Sequence, residues 1–348
     1  MRVCETTTGK GHQIFTNELT RFADRTGDAR IAALIARVDG PLRIAVLGRD
    51  GVGRGTVAAA LAAAGLTVVD RDVTADVDVV VIAEALKPED RAMIGSDSSR
   101  SSRPRCPTLV VLNKADLSGF GAGGPIAVAD RRAADYQALI GAPTVPMVAL
   151  LAAAALDDEL IGALQVLTAE PADLTSADGF LSRPHSLPRA VRARLLDTVD
   201  LFGIAHGVLA LRRGTEVTAL PAVLRRLSQV ERVVAQVAAV GAEVRYRRLC
   251  SVLAELRAEA AAGRPDVDEF LADDDAVIAV MAAAVDVVEA AGLSVDPDDE
   301  PSAHLRRAQH FHRYSDGPVN QLHRSCGVDI CRGSLRLLRR TPSRSEAR

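Results

Sequence analysis

The stretch that decides the fold is IAVLGRDGVGRGT, residues 44–56. It leaves an apolar run, turns through Gly48, Gly51 and Gly53, and enters an Ala-rich segment with helical pattern. Set against the phosphate-binding pattern G-x-x-x-x-G-K-[ST], Gly48 and Gly53 fall on the two glycines. Arg54 then takes the lysine place and Gly55 the Ser/Thr place, with Thr56 one position late. Such a loop holds phosphate through its backbone N–H groups and the helix start behind it, so Asp50, Gly51 and Val52 join the contact set. The stretch is therefore a nucleotide site, the remains of one, or a glycine turn without a ligand.

Outward from it, strand and helix signals alternate. Residues 12–39 carry apolar residues at helical spacing, ending at GPL. A buried strand follows at 42–47 and a helix at 56–64. Further strands are expected near 66–69 and from Val77, Thr108 and Thr144. Continuous β-branched runs, each followed by helical pattern, predict a parallel sheet with helices on both faces. The segments 95–105 and 118–125 read as loops. From 187 to 292 the pattern is almost wholly helical, with Val230, Val233, Val234, Val237, Val240 and Val244 on one face, then Leu249, Leu253 and Leu256. A further helical pair follows DPDDEPS at 296–302. The expected organisation is an N-terminal helix (1–40) packed with the helical half, an α/β domain (41–170), a linker (171–189) and an α-helical bundle domain with a basic tail (190–348).

Composition narrows the classes. A net charge of −3 on 348 residues gives no bulk attraction to nucleic acid or membrane. Lys10, Lys87 and Lys114 are the only lysines among the basic residues, a bias in which Arg at a lysine position reads as drift. Five scattered cysteines and no apolar leader point to a reducing cytosol. The longest apolar run, 145–156, falls short of the roughly twenty residues a membrane span needs.

LVVLNKADL sets Asn113, Lys114, Ala115 and Asp116 at the carboxyl end of a strand. N-K-x-D is a guanine-reading pattern. The Asp carboxylate accepts from the N1–H and exocyclic amine of the base, the Lys stem lies over the ring, and the Asn ties this loop to the phosphate loop. Asn occurs three times in the chain and Lys three times, so a chance match is rare.

With these motifs in order, the chain resembles bacterial dynamin-like GTPases, in particular the isoniazid-induced dynamin-like proteins of actinobacteria. PLRIAVLGRDGVGRGTVAAAL, VVVIAEALKPEDRAMI, TLVVLNKADL and VPMVAL carry the resemblance, and the helical half continues it. The resemblance implies a P-loop GTPase-like α/β domain followed by a helical bundle, with GTP or GDP as ligand. It implies nucleotide contacts from Gly48, Asp50, Gly51, Val52, Gly53, Arg54, Gly55, Thr56, Asn113, Lys114 and Asp116. A protein partner is implied too, a fuller dynamin-like relative among the candidates, with peripheral contact at the inner face of a membrane left open.

The departures concern hydrolysis. Arg54 keeps a positive charge but not the geometry of an ammonium. Gly55 removes the hydroxyl that ligates Mg²⁺. The helix-to-strand segment leaves almost no room for a first switch. DRDV and DVTA offer Asp70 and Asp72 without the glycine of D-x-x-G, and Ala149 stands in the place of a base-side Ser. The expected protein is a pseudo-GTPase with no catalytic residue and no metal ligand, binding guanine nucleotide weakly and acting through its helical domain. The alternative is a slow GTPase completed by a partner. Three other features are set aside: His310, His312, His323, Cys326 and Cys331 match no zinc spacing, the acidic run 266–275 reads as a solvated helix start, and the terminal arginines as a solvated tail.

Overall fold

The computed structural model describes residues 11–70, 73–94, 106–119 and 121–340. The loop expected at 95–105, Asp72 and the last eight residues of the basic tail lie outside the described residues. The chain divides into two compact units, 42–237 and a second built from the segments on either side of it.

The second unit begins with α1 (Gly11–Thr26) and α2 (Ala29–Asp39). Two helices stand where the periodicity predicts one. Gly27 adopts φ 66°, and the Asp28 carboxylate accepts from the Arg30 N–H at 2.9 Å, so a C-terminal turn and an N-cap fall side by side.

The α/β unit follows as β1 (Arg43–Leu47), α3 (Arg54–Ala63), β2 (Thr67–Val69), β3 (Val77–Ala83), α4 (Pro88–Ile94), β4 (Thr108–Asn113), α5 (Gly124–Ile140) and β5 (Thr144–Pro146). It continues through α6 (Ala149–Ala152), α7 (Asp158–Ala169), α8 (Ala177–Ser182), α9 (Arg189–Arg212) and α10 (Leu220–Ser228). All strand pairs are parallel, in the order β2-β1-β3-β4-β5. Val80, Ile82, Val110 and Leu112 on one face join a core with α7, α9 and α10 residues such as Leu164, Leu195 and Leu224. Val79, Val81, Leu109 and Val111, on the opposite face, are also fully buried. Burial on both faces is why these strands read as unbroken apolar runs.

The linker and domain boundary need correction. Residues 171–189 contain α8, whose Phe180 is fully buried in the core of the α/β unit. Helices α9 and α10 belong to that unit as well, so the division falls near 237 rather than at 171–189. The helical pattern there is real, but its apolar face covers the sheet.

α11 (Val230–Ala261) carries the chain past the division. α12 (Pro265–Ala272), α13 (Asp274–Ala290), α14 (Pro301–Asp316) and α15 (Gln321–Arg340) complete the helical unit with α1 and α2. Its core gathers Phe15, Phe22, Tyr246, Phe270 and Phe311, with Phe22 and Phe270 stacked at 4.7 Å. The Tyr246 hydroxyl donates to Asp329 at 2.7 Å, next to Cys326, whose thiol burial pushes up to about 12. Arg336, Arg339 and Arg340 are not a free tail: all three pair with Asp274 at the start of α13. Within 266–275, read as a solvated helix start, Asp274 is therefore taken up by pairing, while Asp268, Glu269 and Asp273 are exposed. Among the described residues no helix is long and apolar enough to cross a membrane.

Candidate nucleotide site

In the order β2-β1-β3, the chain leaves β1 toward one side of the sheet and returns on the other. Open parallel sheets bind ligands at the carboxyl end of such a reversal. The loop 48–53 sits there, between β1 and α3. Gly48 lies so close to β3 that a Cβ would stand 2.8 Å from the Val81 carbonyl oxygen, and Gly53, at φ 82°, has the Asn113 side-chain amide where its Cβ would be. Only glycine meets both demands.

Asn113 ends β4 and is buried. Its Nδ2 donates to the Val52 carbonyl at 2.9 Å, and its Oδ1 accepts from the Ala149 N–H at 3.1 Å. One amide thus joins the loop after β1, the loop after β4 and the start of α6. Lys114, held at φ 57°, extends Nζ to the Gly51 carbonyl at 3.0 Å. Asp116 follows in a single 3₁₀ turn (115–117) and is half-buried. Burial raises its carboxyl above the ordinary value, and the charge of Asp200 adds to the rise, while a backbone hydrogen bond and Lys114 act against it. Asp200 interrupts α9 at φ 55° and accepts the Leu201 N–H at 2.6 Å.

The structure therefore brings Gly48, Gly51, Val52, Gly53, Asn113 and Lys114 into contact, with Asp116 two residues beyond Lys114. Arg54 opens α3 and reaches back to the Gly48 carbonyl at 3.5 Å. Asp50 and Gly55 are exposed, Thr56 is half-buried in the first turn of α3, and a Cβ on Gly55 would meet nothing within 4 Å.

Three residues not singled out by motif complete the site. Arg49 sends Nε to the Asp90 carboxylate at 3.2 and 3.3 Å and Nη2 to the Ala83 carbonyl at 3.4 Å, bridging from β1 to the end of β3. Asp90 is fully buried and also accepts the Lys87 N–H at 2.9 Å. Asp200 is the third. PED at 88–90 is a legible helix start; no local signal marks Asp200 as facing a residue 84 positions earlier. Asp70 directly follows β2, beside β1, and is exposed. Between α3 and β2 stand only Ala64, Gly65 and Leu66.

Among the described residues no cluster of His, Cys, Asp and Glu is arranged to hold a metal ion. His323 instead takes the Tyr314 hydroxyl at 2.7 Å, and Cys326 is buried. The chain matches no family model, no curated protein and no solved structure.

Proposed function

We propose that this chain is a degenerate guanine-nucleotide-binding protein of dynamin-like type, a pseudo-GTPase that takes GDP or GTP weakly and acts through its helical unit on a protein partner. The observation that carries the reading is the Asn113 bridge, which holds the guanine-reading sequence 113–116 against the glycine loop. Phosphate attraction comes from the backbone of 48–53 and the positive end of α3, with Arg54 above it. Hydrolysis lacks its parts: Gly55 brings no hydroxyl to Mg²⁺, and three residues between α3 and β2 leave no segment for a switch. Calorimetric titration with GTP, GDP and ATP, with and without Mg²⁺, tests this. The expected result is weak guanine-selective binding that ignores Mg²⁺; equal affinity for ATP overturns it.

One observation favours a second reading, the slow GTPase completed by a partner. Asp70 stands at the end of the strand next to β1, where phosphate-loop enzymes carry the acid that holds Mg²⁺. GTP turnover that needs Mg²⁺ and is lost in Asp70→Ala and Asp116→Ala would replace the first reading by this one.

A further inference from the structure

α9 breaks at its middle. Asp200 stands at φ 55° and ψ 176°, a region of backbone space that glycine alone enters readily, and no proline lies within the helix to force the break. Glycine would make the same turn without strain, so a strained aspartate there points to a use for its side chain. Packing on α6 sets where the break falls. Gly203, one turn further on, lies so close to Leu151 that a Cβ would stand 2.7 Å from the leucine Cδ2. α6 starts at Ala149, whose N–H goes to Asn113. Asp200 thereby comes to the N-K-x-D side of the site, near enough for its charge to be felt at Asp116.

The Asp200 carboxylate is not used up by the fold. Its Oδ1 accepts the N–H of the next residue, Leu201, and no cation among the described residues pairs with the group. The residue is half-buried, and neither its Oδ2 nor the Asp116 oxygens are among the polar atoms that are both shut off from solvent and unpartnered. Lys114, the lysine of the motif, directs Nζ to the Gly51 carbonyl. Two accessible carboxylates thus stand at one side of the site with acceptor capacity to spare. A ligand edge rich in N–H donors answers such a pair. Guanine offers three donors on one edge, N1–H and both amine protons. A single carboxylate meets N1–H and the inner amine proton side by side. The outer amine proton points past it and calls for a second acceptor. Hypoxanthine keeps N1–H and lacks the amine.

We infer that Asp200 is a second base-reading carboxylate, accepting the outer amine proton of guanine while Asp116 accepts N1–H and the inner one. This rests on the guanine-nucleotide reading above and adds to it a sharper discrimination, guanine against hypoxanthine. The test titrates the whole chain with GDP and with inosine diphosphate (IDP), in EDTA so that no cation bridges the two acids. The two amine bonds should favour GDP over IDP by about a hundredfold. Asp200→Gly suits the backbone and removes the acceptor, so the GDP:IDP ratio should fall about tenfold. A merely structural role would weaken both nucleotides alike and leave the ratio unchanged. Asp200→Asn keeps an oxygen without the charge, and its ratio should lie between the two. GDP binding with the same ratio in the wild type and Asp200→Gly would overturn this inference alone and leave Asp200 as a packing kink. Should Asp200→Gly not fold, an Asp200→Asn ratio equal to the wild type's overturns it. Wild-type protein that binds neither nucleotide would overturn the guanine-nucleotide reading and this inference together.

Discussion

At the scale of single residues, the proposed guanine selectivity rests on Asp116. A half-buried carboxylate facing adenine would be left without a donor, at a cost of about 1–3 kcal/mol, so GTP should exceed ATP by roughly ten- to hundredfold. Asp116→Asn should move preference toward xanthine nucleotides, read by competition between GDP and XDP. The same carboxyl gives a pH dependence. Burial, then the Asp200 charge, raises it above 3.8, so the folded chain holds this proton more tightly than the unfolded one. Its contribution to stability is largest below 3.8 and is lost as pH rises through the raised value. Guanine binding runs the other way, because only the ionised form accepts, and it should fade as pH falls through that value. Asp200→Asn removes the like charge and keeps a residue type tolerant of positive φ. GDP binding in that variant should persist to lower pH, and identical pH profiles for the two proteins would show that Asp200 does not act on the base site.

At the scale of elements, the loop between β1 and α3 is fastened at both ends, by Arg49 on one side and Asn113 on the other. Arg49→Met strands Asp90 in the core, a loss expected near 3 kcal/mol in urea unfolding. Arg49→Met combined with Asp90→Asn should recover much of it, since the uncompensated charge is then gone. The phosphate side is tested by Arg54→Lys with Gly55→Ser. The second change has open space around its Cβ and sits in a first helical turn, so the fold should tolerate it. Binding should then favour GTP over GDP and depend on Mg²⁺, without hydrolysis. A double variant that folds yet binds nothing would make residues 48–56 a packing turn. The strand runs, the loop and the N-K-x-D end of β4 were legible because each is a local pattern with one physical cause. Arg49 with Asp90, and Asp116 with Asp200, were not. They depend on the order β2-β1-β3 and on where α9 breaks, which no local spacing states.

At the scale of the whole molecule, residues 171–237 lie in the α/β unit, where the sequence reading put a linker and the start of the helical bundle. The Pro-, Ser- and Asp-rich stretch 171–189 has the look of a linker, yet Phe180 anchors it. Polarity of a segment says little when one aromatic residue in it finds a core. Separate cores predict separate unfolding. Calorimetry should resolve two transitions, and GDP should move only the one belonging to 42–237, by about 2.7 kcal/mol at a hundred times its Kd. A single transition, or a ligand shift in both, would mean that the units unfold as one.

The division at 41 and 237 also fixes an order of events during synthesis. The α/β unit is contiguous and can close once α10 has left the ribosome. Helices α1 and α2 come early in the chain, but Phe22 stacks on Phe270 of α12, 248 residues later, a wait of roughly 12–50 s at ~5–20 residues per second. Through that interval Phe15, Leu19, Phe22 and Ile31, all fully or almost fully buried in the finished protein, lack the α11–α13 residues of their core. The nascent segment 11–39 is thus the one most in need of a chaperone. Moving residues 1–41 behind residue 340 by circular permutation should raise the soluble yield.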